Sequence, residues 1–116
     1  LRYAPRSKPL LGKDRITGTI VYSDRFGNLI SDIPVALFSS MTYPSFQIGE
    51  MHITGFYKYY SEGHALIGLI GSFNTLEIAF VNGNASEVTG AKVGDRIVVY
   101  DDLKDINNEH YIKRTN

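Results

Sequence analysis

Residues 15–24 read R-I-T-G-T-I-V-Y-S-D, and their side chains alternate between two faces of an extended chain. One face carries Ile16, Gly18, Ile20 and Tyr22, and the residues between them belong to the other face. Strict alternation and a high share of β-branched residues are typical of a half-buried strand. The stretch therefore predicts a β-strand.

Further strands are predicted along the chain from this one. R-F-G-N at residues 25–28 is a tight break before a second short strand, residues 29–33. A-L-I-G-L-I at residues 65–70 is continuously apolar, as expected of a strand buried on both faces. Residues 34–44 are mixed. The other predicted strands are one or two within 47–60, interrupted at Gly49 and Gly55, then 75–81, 96–100 and 109–114.

Residues 82–90 carry the helical signal of the sequence. Asn84 is placed to cap the helix, Glu87 follows three residues later, and Gly90 ends it. Six to eight short strands with one short helix predict an all-β fold, either a compact β-barrel or a sandwich, and the barrel is the expected one. The predicted domain boundaries are a linker or arm at residues 1–14, which contains two prolines, and the barrel domain at residues 15–116.

Length and charge limit the class of protein. The 116 residues suit a single domain, and twelve Lys plus Arg balance twelve Asp plus Glu. This balance argues against a general binder of nucleic acid or anionic membranes. The N-terminal residues lack the apolar region of a signal peptide, and no apolar run is long enough to span a bilayer, so a cytoplasmic location is predicted.

Catalytic and metal-binding motifs are missing from the sequence. There is no Cys, the three histidines lack ligand spacing, and no serine lies in a nucleophile-elbow frame. Asp101, Asp102 and Asp105 lack the spacing of a calcium loop and are predicted to lie in a solvated loop. The residues thus predict no metal site and no self-contained catalytic set.

Residues 24–28, D-R-F-G-N, form the first segment with unusual chemistry, and two interpretations are open. An Asn amide can pair with adenine through two hydrogen bonds, an aromatic ring can stack on the base, and a carboxylate can bind an ammonium group. The other interpretation is a structural Asx-type turn with Gly27 at positive φ and with Asn28 satisfying the backbone.

The second segment is G-S-F-N-T-L-E-I-A-F-V-N-G-N-A at residues 71–85. It combines a polar turn, an alternating strand that carries a single Glu77, and an Asn/Gly loop leading into the capped helix. One interpretation is a helix N-terminus that favours an anion. The simpler one, which we prefer for the segment on its own, is a hairpin followed by a short helix, with Glu77 on the solvent face of its strand.

Together the two segments resemble a known family. D-R-F-G-N at residues 24–28, followed by G-S-x-x-x-L-E-I-A at residues 71–79 and G-A-K-V-G-D-R-I-V-V-Y at residues 90–100, resembles the adenosine-forming S-adenosylmethionine hydrolases. These enzymes are also called SAM hydroxide adenosyltransferases, and the family includes the chlorinating and fluorinating halogenases. The resemblance covers about residues 16–100. It implies that this chain is the C-terminal β-barrel domain, without the N-terminal α/β domain that supplies the residues around the reacting carbon.

The resemblance also implies a reaction. Water, hydroxide or halide attacks ribose C5′ of S-adenosylmethionine in line with the sulfonium leaving group, so positioning and desolvation of the nucleophile are the catalytic task. Hydrolytic members release adenosine and methionine. S-adenosylmethionine is expected as substrate, and no cofactor is expected.

On the adenine side, the resemblance assigns binding roles and no catalytic ones. Phe26 and Asn28 match the aromatic ring and the amide of the adenine site, and Tyr57 matches the ring that stacks on adenine. Backbone groups at the adenine edge correspond to Phe80, Val81 and Asn82.

On the methionine side, Asp24 resembles the carboxylate that binds the ammonium group, and Ser72 matches the hydroxyl near the methionine carboxylate. Phe73 stands where some halogenases carry an Arg, which favours the hydrolytic branch. The usual T-N-I after the D-R-F-G-N loop is S-D-I at residues 31–33.

The family resemblance implies partners as well. Active sites form between the N-terminal domain of one subunit and the C-terminal domain of its neighbour in a homotrimer, so the isolated barrel should bind S-adenosylmethionine weakly and turn over nothing. Two alternatives from other classes remain open. One is a stand-alone barrel that binds an oligonucleotide or another partner through its eight Tyr and six Phe, and the other is an oligomerisation module without catalysis.

Overall fold

The computed structural model describes residues 8–57, 66–81 and 83–102. Within these ranges the chain forms nine strands, one 3₁₀ turn and one short helix. The strands are β1 Leu10–Leu11, β2 Arg15–Ser23, β3 Leu29–Pro34, β4 Pro44–Ile48, β5 Met51–Ile53, β6 Phe56–Tyr57, β7 Leu66–Ile70, β8 Thr75–Phe80 and β9 Arg96–Asp101. The 3₁₀ turn is Val35–Phe38, and the helix α1 is Ala85–Thr89.

The strands make one sheet in the order β5-β4-β9-β2-β3-β8-β7-β6, with β1 paired to β2 beside this path. All pairs are antiparallel except β6 with β7. The sheet curls into a nearly closed barrel, which confirms the predicted all-β barrel with one short helix. Two of the strands, β1 and β6, are only two residues long.

The core fills the inside of the barrel with apolar side chains from most strands. Three phenylalanines meet edge to face at its centre: the ring centroid of Phe38 lies 5.8 Å from that of Phe46 and 5.3 Å from that of Phe56. Such edge-to-face contacts add to the free energy gained by burial alone. Fully buried aliphatic residues surround them: Ile20, Leu29, Ile33, Ile53, Leu76, Ile78, Ile97 and Val99.

Residues 34–44, for which the sequence predicts no single element, contain a 3₁₀ turn and the start of β4. The 3₁₀ turn carries Phe38 into the core, and β4 begins at Pro44, earlier than the predicted strand. The predicted interruption at Gly49 is confirmed, since the tight turn between β4 and β5 needs the positive φ of 58° found there. The break at Gly55 is also present, and the predicted strand at residues 109–114 lies outside the described residues.

Helix α1 has the predicted caps. The Asn84 side chain accepts a hydrogen bond from the Glu87 backbone N–H at 2.9 Å. Gly90 adopts a left-handed conformation with φ of 72°, and its N–H donates to the Ser86 carbonyl. Both features confirm the helix ends expected from the sequence.

The predicted solvated loop around Asp101 is wrong for the two aspartates that the structure describes. The Asp101 carboxylate accepts the backbone N–H groups of Thr42 and Tyr43 at 3.2 and 3.0 Å. Asp102 is buried, and its carboxylate accepts the Ser45 hydroxyl at 3.2 Å. Pairing of β4 with β9 brings these groups together across 57 to 59 residues of sequence.

Leu10 and Leu11 of the predicted arm pair with Thr17 and Ile16 of β2. The boundary between arm and barrel at residue 14 stays a prediction. No helix in the described part of the chain is long and apolar enough to cross a membrane.

Candidate functional site

The Asp24 loop, residues 24–28, connects β2 to β3 and is held by its own polar groups. One carboxylate oxygen of Asp24 accepts the backbone N–H groups of Phe26 and Asn28, both at 2.9 Å. The Gly27 N–H donates to the Asp24 carbonyl, and the Asp24 N–H donates to the Asn28 carbonyl. The Asx-type turn is therefore present, but the predicted role of Asn28 in it is wrong: the side chain that satisfies the backbone is Asp24, and the Asn28 amide donates to the Asp24 carboxylate instead.

The same hydrogen bonds orient the Asn28 side chain. Its amide nitrogen Nδ2 donates to the second Asp24 oxygen at 3.1 Å. An amide has two N–H donors and a carbonyl acceptor, so one N–H and the oxygen of Asn28 are left for a ligand. The turn and the adenine interpretations of this loop are thus compatible.

Phe26 projects from the tip of the Asp24 loop with 65% of its surface exposed. The guanidinium carbon of Arg25 lies 5.3 Å from the centre of the Phe26 ring, a cation–π distance. The ring is therefore partly oriented by its neighbour and remains available for stacking.

Gly27 anchors the Asp24 loop to the start of α1. Its φ of 84° favours glycine, and a Cβ at this position would collide with the amide of Asn84. The Gly27 carbonyl accepts the Ser86 N–H at 2.9 Å. The sequence predicted the positive φ but not this docking on the helix.

Strand β8 lies one strand away from the Asp24 loop. β3 pairs with β8 so that Leu29 is opposite Ile78 and Ile30 is opposite Glu77. Because β3 and β8 are antiparallel and the loop precedes β3, the loop lies toward the C-terminal end of β8, at Phe80, which Val81 follows. Phe80 is half-buried against the core, and its carbonyl accepts the Gly83 N–H at 3.0 Å. Asn82 lies outside the described residues.

The Ser72 turn, residues 71–74, joins β7 to β8 at the other end of β8. The Gly71 N–H donates to the Thr75 carbonyl and the Asn74 N–H to the Gly71 carbonyl. Ser72 and Phe73 are both exposed, and neither lies in the same loop as Asp24. Their assigned roles stay predictions.

Glu77 lies in the middle of β8, between the two loops, and sequence reasoning missed its importance. It was predicted to face solvent, but its side chain is half-buried. Burial raises the pKa of its carboxyl, and the nearby Asp24 charge raises it further. The signal in the sequence was a single acidic residue within an otherwise apolar strand.

Tyr57 lies in β6, opposite Leu69 of β7. β6 is the last strand in the sheet order, and β7 and β8 lie between it and β3, the strand that follows the Asp24 loop. The assignment of Tyr57 to the adenine site stays a prediction.

A cavity of ≈630 Å³ lies elsewhere on the barrel, and none of the nine predicted site residues lines it. Its walls include Arg15, Gln47, Thr89 and Arg96. Among the residues that the structure describes, no group of three or more His, Cys, Asp or Glu could hold a metal ion. The candidate site is accordingly made by the Asp24 loop and strand β8, apart from this cavity.

Fold and site together define a class: a small β-barrel domain with an aromatic ring, an oriented amide and carboxylates on one loop and its neighbouring strand. The family model for the SAM hydroxide adenosyltransferase C-terminal domain matches residues 18–98. The chain belongs to this family, as its motifs led us to expect.

Solved structures share the fold. An uncharacterised conserved protein from Thermotoga maritima is 26% identical, with a TM-score of 0.70 over 80% of this chain and 38% of its own. A conserved hypothetical protein from Thermus thermophilus is 24% identical, with a TM-score of 0.58 over 72% of this chain and 34% of its own. The chain thus spans little more than a third of the length of these proteins. A comparison with curated proteins found no match.

Proposed function

We propose that this domain binds the adenosine and methionine parts of S-adenosylmethionine for an enzyme that hydrolyses it to adenosine and methionine. The observation that carries the proposal is the Asp24 loop, which holds an oriented Asn28 amide and, two residues before it, an exposed Phe26 ring within the family-matched region. The proposed role of the barrel is to bind and orient substrate.

Adenine recognition uses the groups that the loop leaves unengaged. The remaining N–H of Asn28 donates to a ring nitrogen of adenine, while its carbonyl oxygen accepts the exocyclic amine. Phe26 supplies a face on which the base stacks. Since Asp24 already holds the amide, the loop loses little side-chain entropy when the base binds.

Methionine recognition falls to Asp24. Its carboxylate has about four acceptor positions. Three of them are engaged by the two backbone N–H groups and the Asn28 amide. The remaining lone pair accepts an N–H of the methionine ammonium group, with charge assistance. The Ser72 hydroxyl is assigned to the methionine carboxylate. Because this carboxylate and the ammonium group share one carbon, the assignment requires the side chains of Ser72 and Asp24 to reach the same part of the ligand.

The reaction is a displacement at ribose C5′. The oxygen of water or hydroxide forms a bond to C5′ as the bond from C5′ to the sulfonium sulfur breaks, and the electron pair of that bond neutralises the sulfur in methionine. A hydroxide yields adenosine directly, whereas an attacking water also loses a proton. In this proposal the side chains of the barrel fix the substrate for in-line attack, and none of them is the nucleophile.

The nucleophile and the partners belong to the rest of the enzyme. The Asp24 loop is at the surface, with Phe26 exposed, and the chain spans 38% of the Thermotoga maritima protein. In our proposal an α/β domain of a neighbouring subunit covers this surface in a homotrimer and excludes water from the reacting carbon.

The proposal is tested by titrating adenosine into the full-length gene product and its Asn28→Ala variant by calorimetry. Loss of the two amide hydrogen bonds should weaken binding by about 1–3 kcal/mol, by analogy with a bidentate contact between an amide and adenine.

Gln47→Ala is the matched control, since it removes an amide that lines the separate cavity and donates to the Gly49 carbonyl. The control should leave adenosine affinity unchanged. Equal affinity of Asn28→Ala and wild type would rule out the adenine assignment.

A further inference from the structure

Glu77 has a position in the barrel that none of the family-derived roles uses. It pairs with Ile30 of β3 on one side and Leu69 of β7 on the other, so two apolar neighbours flank it. Its carboxyl lies directly against Gly71, where any Cβ would collide with Oε1. Glu77 therefore contacts the Ser72 turn while it sits one strand away from the Asp24 loop.

The electrostatic surroundings of Glu77 are anionic. Asp24 is close enough for its charge to raise the pKa of the Glu77 carboxyl, in addition to the larger effect of burial. Neither carboxylate forms an ion pair with any residue in the described parts of the chain. The nearest basic residue in sequence to Asp24, Arg25, has its guanidinium over the Phe26 ring. A positive charge supplied from outside would thus be attracted by both carboxylates.

We propose that Glu77 is a specificity-determining residue of the substrate site: its carboxylate strengthens the preference of the Asp24 loop for a ligand that carries an ammonium group over a neutral one. The inference rests on the proposed function, because it takes the Asp24 loop as the place where the methionine ammonium binds. Glu77 acts through space on that ammonium group, while Asp24 makes the hydrogen bond.

Three physical reasons support this role. The Glu77 carboxyl lies against the Gly71 backbone, in the space that a Cβ at this position would take. The apolar flanks Ile30 and Leu69 lower the local dielectric, which strengthens charge interactions across the site. A charged glutamate in this environment is disfavoured without a counterion, so a bound cation relieves its repulsion with Asp24.

The test compares two stable ligands with wild-type full-length gene product and its Glu77→Gln variant. S-adenosylhomocysteine carries the ammonium group but no sulfonium charge, and adenosine carries no charge. Glu77→Gln should weaken S-adenosylhomocysteine binding by about five- to tenfold, as expected for one charge removed at an intermediate dielectric. Adenosine affinity should change less than about twofold. Both ligands are titrated calorimetrically at neutral pH.

Two further variants separate charge from structure. Glu50→Gln removes an equivalent charge from an exposed position in the turn before β5 and should leave both affinities unchanged. Glu77→Asp keeps the charge and should retain most of the S-adenosylhomocysteine affinity. An equal loss for both ligands in Glu77→Gln, or no loss for either, overturns the specificity role.

The outcomes also distinguish this inference from the proposed function. If the wild-type protein binds neither ligand, both proposals fail. If adenosine binds and Asn28→Ala weakens it, but Glu77→Gln leaves the ratio of the two affinities unchanged, only the role of Glu77 fails.

Discussion

The Asp24 loop and the Ser72 turn carry the two motifs of this domain, yet they are stabilised in different ways. In the loop, the Asp24 carboxylate accepts three hydrogen bonds, and Gly27 is docked on the first turn of α1. In the Ser72 turn, Gly71 and Asn74 are held through backbone groups. The adjoining Thr75 hydroxyl is buried with no hydrogen-bond partner among the described residues.

Because of this difference, we expect the Asp24 loop to be ordered before a ligand binds and the Ser72 turn to adjust to the ligand. A side-chain carboxylate that fixes its own loop removes conformational freedom before any ligand arrives, which favours rigid recognition of a flat base. A turn with exposed side chains that is closed by backbone hydrogen bonds retains more of that freedom. We therefore expect substitutions that disturb the docking of the Asp24 loop on α1 to affect folding strongly and those in the Ser72 turn to affect binding alone.

The largest expected effect comes from Gly27→Ala. The substitution places a side chain at φ of 84° and into the amide of Asn84, so it should lower the free energy of unfolding by about 2–4 kcal/mol. Denaturant titration of the full-length gene product and the variant measures the change.

Gly49→Ala is the matched comparison, because Gly49 also has a positive φ but no atom lies near its missing Cβ. Here only backbone strain remains, about 1–2 kcal/mol. Equal losses in the two variants would show that the docking of the Asp24 loop on α1 adds nothing to stability.

Local patterns were enough to predict much of the barrel. The alternation of residues 15–24 predicts β2, and the cap residues Asn84 and Gly90 predict α1 and its ends. Both signals act within one element, where side-chain periodicity and backbone hydrogen bonds depend on neighbouring residues.

Features that depend on distant residues could not be predicted in this way. Asp101 was expected to be solvated, but it binds backbone N–H groups of Thr42 and Tyr43 because β4 and β9 are neighbours in the sheet. The strand that carries Glu77 was predicted correctly. The burial of Glu77 and its proximity to Asp24 depend on which strands flank β8, and strand order is not encoded in local periodicity.

The protonation of Glu77, which lies between the Asp24 loop and the Ser72 turn, has a smaller effect on the free energy of unfolding than Gly27→Ala. Its pKa is raised in the folded state, so folding is favoured while the carboxyl is protonated. That contribution is complete below the ordinary pKa of 4.5 and is lost as the pH rises through the folded-state value. Glu77→Gln should therefore be more stable than wild type at pH 7, by less than about 1 kcal/mol after solvent screening.

Denaturant titrations of wild type and Glu77→Gln at pH 4 and pH 7 check this expectation. The free energy of unfolding of Glu77→Gln, relative to that of wild type, should be higher at pH 7 than at pH 4. Glu50→Gln serves as the control, since Glu50 is exposed. A constant difference between wild type and Glu77→Gln at both pH values would contradict a raised pKa of Glu77.

The smallest expected effect on stability belongs to Ser72→Ala. Ser72 is exposed in its turn, so the free energy of unfolding should change by less than about 0.5 kcal/mol. If its hydroxyl binds the methionine carboxylate, S-adenosylhomocysteine affinity should fall by about three- to tenfold, the equivalent of one hydrogen bond to a charged group or slightly less. Adenosine, which has no carboxylate, should bind as before. Denaturant titration and calorimetry measure the two quantities.

Ser39→Ala is the control for loss of a surface hydroxyl, because the exposed Ser39 donates its hydroxyl to the Ala36 carbonyl. It should leave both affinities unchanged. A clear loss of stability in Ser72→Ala would show that the Ser72 turn is held by its side chains after all. The contrast with the Asp24 loop would then disappear, because both segments would be fixed by side-chain hydrogen bonds before any ligand binds.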